Sequence, residues 1–145
     1  SIPAKNLYIT DKNTRRYILV GGSADGGHGP RMKISEKGPT GKGATITLKF
    51  NKNNEIDIIG KPDDINMKSK ELKKYKEFAI RNKELIKLAP TENLDDINKA
   101  IIKDAKLYND KIPYKRDDKG NLTIYDKNTG NIISVEDLKG RKLND

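Results

Sequence analysis

Ala44-Thr45-Ile46-Thr47-Leu48-Lys49-Phe50, followed by Asn51-Lys52-Asn53-Asn54 and then Glu55-Ile56-Asp57-Ile58-Ile59, is the stretch on which the fold turns. Apolar residues stand at every second place from Ile46 to Phe50, the two-residue period of a strand with one face buried and the other wet. The four residues between the two runs are turn formers, so the runs read as neighbouring antiparallel strands.

Upstream the same alternation recurs at Arg31-Met32-Lys33-Ile34-Ser35, at residues 17–20 and at residues 7–10. The connections Asp11-Lys12-Asn13-Thr14, the glycine-rich 21–29 and 38–43 all carry turn chemistry. Residues 1–60 therefore predict a meander of about five antiparallel strands.

Downstream the period lengthens. From about residue 66, Leu72, Tyr75, Ala79, Asn82, Ile86 and Ala89 follow one helical stripe, widened by Phe78 and Leu85, until Pro90 stops it. Thr91 or Asn93 can cap a second helix with the stripe Leu94, Ile97, Ile101, Ala105 and Tyr108, ending before Pro113. Two helices over 66–110 are expected to cover one face of the sheet. Residues 113–145 return to strand character at 122–125 and 132–135, around Asp126-Lys127-Asn128-Thr129-Gly130, a closing hairpin. Residues 7–20 and 122–135 are identical at eight of fourteen positions, including the Asp-Lys-Asn-Thr run. Convergence on the same turn residues explains this without duplication. The whole is an α+β chain of 145 residues, the size of one domain.

The chain has no cysteine, so disulfides and thiolate metal sites are excluded, and a reducing compartment fits. Its longest apolar runs are about four residues, against the roughly 20 a membrane helix needs. Ser1-Ile2-Pro3-Ala4-Lys5 lacks a basic stretch followed by an apolar core. The expectation is a cytoplasmic protein with no membrane partner; a leader removed ahead of residue 1 stays open.

Thirty basic against 21 acidic residues give a formal charge of +9, which attracts polyanions through counterion release. Lysine supplies 24 of the 30, a bias that an AT-rich genome also writes onto ordinary surfaces. Position discriminates better than total charge: residues 1–60 carry ten basic and five acidic side chains, while 61–112 carry thirteen and ten. Between Arg31 and Lys49 stand Arg31, Lys33, Lys37, Lys42 and Lys49 against Glu36 alone. This hairpin is the candidate anion-facing surface.

Gly38-Pro39-Thr40-Gly41-Lys42-Gly43-Ala44-Thr45 resembles a phosphate-binding loop, but Glu36 stands where the first glycine belongs and Gly43 where a magnesium-binding hydroxyl belongs. It reads as a hairpin tip that presents Lys42. The segment from Asp126 to Asp137 misplaces the glycine and the last ligand of a calcium loop, and has no flanking helices. No metal and no cofactor are expected. His28 is the only histidine, which excludes a two-histidine acid–base pair or a multi-histidine metal site in a monomer. It lies in a flexible glycine-rich loop leading into a basic strand, so it is the candidate catalytic residue if there is one. Asn82, on the apolar stripe, is expected to hydrogen-bond a loop backbone.

Asp25, His28-Gly29-Pro30-Arg31-Met32-Lys33-Ile34, Lys70-Glu71-Leu72 and Asn82-Lys83-Glu84-Leu85-Ile86 together resemble a domain-of-unknown-function family of small bacterial and phage proteins. That family carries Asp-x-x-Pro-Pro-His-x-His-Val on a strand ahead of a helix ending in Asn-Arg-Glu-Leu-Leu, and is often encoded beside a small partner in toxin–antitoxin-like pairs. The resemblance covers roughly residues 15–90 and leaves out the tail. Arg31 and Lys33 stand where the family has its two histidines. Residues 31 and 33 alternate to one strand face, about 7 Å apart, a spacing suited to adjacent phosphates.

Three functions are compatible with these features. The first is a basic binding domain engaging RNA, DNA or an acidic protein partner through Arg31, Lys33, Lys42 and Lys49. The second is a metal-independent ribonuclease toxin using His28, Arg31 and Lys33. The third is a phage or mobile-element inhibitor of a host protein. Whether the chain is an enzyme stays open.

Overall fold

The computed structural model describes residues 9–11, 16–22, 29–36 and 43–144. Its first half is an antiparallel meander in chain order, β1 (Ile9–Asp11), β2 (Arg16–Gly21), β3 (Arg31–Ser35), β4 (Thr45–Phe50) and β5 (Ile56–Ile59). For β2 to β5 the boundaries lie within one residue of those the alternation marks. Asn51 closes the last connection: its Oδ1 accepts from the backbone N–H groups of Asn53 and Glu55, and Asn54 takes the left-handed conformation at φ 61°.

Alternation sorts the side chains. Ile18 and Val20, Met32 and Ile34, and Ile46, Leu48 and Phe50 all turn to one face and are buried. Onto that face pack α1 (Ser69–Arg81), α2 (Lys83–Lys87) and α3 (Leu94–Asn109), after a 3-10 turn at Pro62–Ile65. They contribute Tyr75, Ala79, Leu85, Ile86, Ile97, Ala100 and Ile101, joined by Ile65 of the turn, Met67 after it and Ala89 after α2. Each buried Leu, Ile or Met side chain among these adds about 1.5–3 kcal/mol by leaving water. Arg16, buried at the start of β2, ties the layers: its guanidinium donates to Glu71 on α1 and, at 2.7 Å, to the carbonyl of Ile65.

The helical layer has three helices where the stripe predicted two. Asn82 ends α1, and its Nδ2 donates to the Phe78 carbonyl at 2.9 Å instead of to a loop. A side chain competing for helical carbonyls bends the ladder there, yet the apolar stripe continues through the break. Of the two candidate caps, Thr91 and Asn93, it is Asn93 that caps α3, accepting from the N–H groups of Asp95 and Asp96. Two stripe members lie at or beyond the margin of the core. Phe78 is partly buried and packs against the core, whereas Tyr108 is 50% exposed with the Arg81 guanidinium 4.0 Å from its ring centre.

The expected closing hairpin is a separate three-stranded sheet, β6 (Tyr114–Arg116), β7 (Leu122–Tyr125) and β8 (Ile132–Glu136). The extra strand is recruited by Arg116, whose guanidinium grips Asp104 on α3 and the Gly120 carbonyl. Three similar turns shape this sheet: Asp117, Asp126 and Asp137 each accept backbone N–H groups two and three or four residues ahead. In the calcium-like segment, Oδ1 of Asp126 accepts from the N–H groups of Asn128 and Thr129. No helix among the described residues is long and apolar enough to cross a membrane.

Candidate nucleic-acid interface

With the helices on the face of Met32 and Ile34, the opposite face of the meander presents the intervening residues. Antiparallel register arranges them in rows across the strands. One row runs Gly21, Arg31, Lys49, Asp57 and the next runs Leu19, Lys33, Thr47, Ile59. A third holds Tyr17, Ser35 and Thr45. Arg31 and Lys49 therefore stand directly opposite each other, and Lys33 lies one row along on the same face.

Like charges directly opposite on a sheet destabilise it, and these three cations are half-buried between neighbours that hold them close. Among the described residues the ion pairs are Arg16–Glu71, Lys103–Glu136, Arg116–Asp104 and Arg141–Asp137, so none of the three is neutralised in this way. Arg31 gives one Nη1–H to the Gly29 carbonyl at 3.1 Å, which steers its head over Gly21, where a side chain would come within 3.9 Å of Cζ. Asp57 is the one acid in the rows; it is exposed and takes the Asn51 amide at 3.2 Å.

Arg31, Lys33, Thr47, Lys49 and Ile59 enclose a recess of about 210 Å³. Thr47 is 8% exposed, while Ile59, on the edge strand, is 53% exposed and forms the apolar rim. The arrangement gathers positive charge and hydrogen-bond donors around one hollow, the chemistry of an oxyanion receptor. Of the residues singled out from the sequence, Arg31, Lys33 and Lys49 come together here. His28 and Lys42 lie outside the described residues. Thr47, Ile59, Leu19 and Asp57 were missed, because alternation shows which residues share a face but the register across strands shows which ones touch. Among the described residues no group of three or more His, Cys, Asp or Glu side chains is gathered for a metal ion.

Comparison of the chain with protein-family models, with characterised proteins and with solved structures yields no match.

Proposed function

We propose that this protein binds nucleic acid through the open face of its meander, with Arg31, Lys33 and Lys49 contacting phosphates. One observation carries the proposal: three cations held together on one sheet face, two of them directly opposite, none in an ion pair among the described residues. A solvated surface has no reason to bring them together, since each adjacent pair opposes folding, whereas a phosphate chain reverses the sign of that interaction. An acidic protein is the weaker fit, because the rows combine cations with a small recess and few apolar anchors for a protein partner.

Fluorescence anisotropy with labelled RNA and DNA oligonucleotides tests the proposal. The variant Arg31→Gln/Lys33→Gln/Lys49→Gln is compared with Lys70→Gln/Lys73→Gln/Lys74→Gln, which removes the same charge from exposed positions of α1. The sheet variant is expected to lose affinity and to flatten the salt slope by about two to three units, while the helix variant changes it little. Equal losses in the two variants, or no binding at about 50 mM salt, would refute the proposal.

A further inference from the structure

Not all phosphates are alike to the recess at the centre of this face. An internal phosphodiester carries a single charge and must run through its site, because the chain leaves it on both sides. A terminal phosphate monoester carries about 1.5 to 2 negative charges at neutral pH and offers three free oxygens from one direction. The recess is lined by three cations and one hydroxyl, has no acid among its lining residues, and is bounded on the β5 side by the apolar Ile59. Asp57 faces Lys49 from outside this set. At about 210 Å³ the hollow has room for a phosphate group.

We infer that the recess seats a single phosphate monoester, with Arg31, Lys33 and Lys49 neutralising it and the Thr47 hydroxyl donating to one oxygen. On the reading of this face as a nucleic-acid interface, the ligand is the phosphorylated end of a strand, and the rest of the strand runs outward over the sheet. Thr47 is then a specificity residue: its hydroxyl, in the row of Lys33 and Ile59 beside the pair Arg31 and Lys49, distinguishes an end from a passing diester.

The test uses one oligonucleotide in three forms, with a 5′-phosphate, with a 3′-phosphate and with hydroxyls at both ends, and a nucleoside monophosphate as a separate ligand. One phosphorylated form is expected to bind the wild-type protein about tenfold or more tightly than the hydroxyl form, the scale of added hydrogen bonds to a charged group. Thr47→Val keeps a residue suited to a strand. It should shrink that preference. Equal binding of all three forms would overturn the seat while leaving the proposed function standing, and this comparison needs no variant to fold. Retention of the full preference by Arg31→Gln/Lys33→Gln/Lys49→Gln would overturn it as well. A monophosphate that binds the wild type but not this variant, when no oligonucleotide binds, would support the seat and sink the nucleic-acid reading.

Discussion

Replacing Asp104 by alanine removes the anchor that holds the second sheet to α3. The Asp104 and Arg116 side chains are 1% and 6% exposed, and the guanidinium meets the carboxylate as a fork, Nε to Oδ2 at 3.0 Å and Nη2 to Oδ1 at 2.8 Å. Without the carboxylate, Arg116 keeps only the Gly120 carbonyl, 2.8 Å from Nη1, and its charge is left buried. Breaking a pair in this way costs about 3–5 kcal/mol. In a chain of this size about 2–4 °C of melting temperature accompanies each kcal/mol, so a fall of roughly 6–20 °C is expected. Burial pushes the Asp104 carboxyl up, and the pull of Arg116 does not fully offset it. The pair is thus costly compared with apolar filling, and Asp104→Leu/Arg116→Met should recover most or all of the lost stability. Thermal and urea unfolding of the single and double variants, followed by circular dichroism, decides the matter. An alanine variant within about 1 kcal/mol of wild type, or a double variant no better than the single, would refute this account of the clamp.

Gly60 sits at φ +101°, and a methyl group there would lie 2.6 Å from the Thr45 carbonyl oxygen, so Gly60→Ala should cost about 1–3 kcal/mol from backbone strain alone, measured by urea unfolding. Wild-type stability would contradict the close approach of Gly60, after β5, to the start of β4. Asp57→Asn removes the acid beside Lys49 and should tighten oligonucleotide binding at low salt, read by anisotropy; weaker binding would place Asp57 among the contacts. In the second sheet, backbone N–H groups of Thr129 and then Asn128 hold the Asp126 carboxyl below its ordinary value, and the Arg141 N–H does the same for Asp137. Partial burial works upward on Asp117, but the N–H groups of Asn121 and Lys119 outweigh it. Groups with lowered folded-state pKa values give stability that is present above their unfolded value and lost as pH falls through the folded one, here below about pH 4. Asp104, shifted the other way, gives stability that is greatest in acid and lost as pH rises through its raised value. Asp117→Asn/Asp126→Asn/Asp137→Asn keeps side chains able to cap these turns while removing the charges, so its urea midpoint should vary less between pH 5 and pH 3 than that of wild type. An unchanged pH profile would contradict the assignment.

The strands were legible because a sheet with one covered face writes a two-residue period, clear in Ile46-Thr47-Leu48-Lys49-Phe50. The helices were legible as a stripe but not in number, since Asn82 keeps its place on the stripe while its side chain bends the ladder. Tyr114-Lys115-Arg116 is too short to announce itself, and it becomes a strand through the distant Asp104. Phe78 and Tyr108 fit a helical stripe, yet a stripe does not fix its width: Phe78 packs on the margin of the core while Tyr108 is exposed, and both lie beside Arg81. At the candidate site, the parity of Arg31, Lys33 and Lys49 was readable, but which residues meet depends on hairpin register. That register brings Thr47 opposite Lys33 and Ile59 opposite Thr47.

The central claim is spatial: nucleic acid meets the sheet and not the helices. Amide and side-chain NMR shifts of the labelled protein, recorded as an oligonucleotide is added, test it most directly. The account predicts that the largest changes fall on Leu19, Arg31, Lys33, Thr47, Lys49 and Ile59, with α1 and α3 nearly silent. Changes centred on the exposed lysines of α1, with the rows of β3 and β4 unmoved, would contradict it.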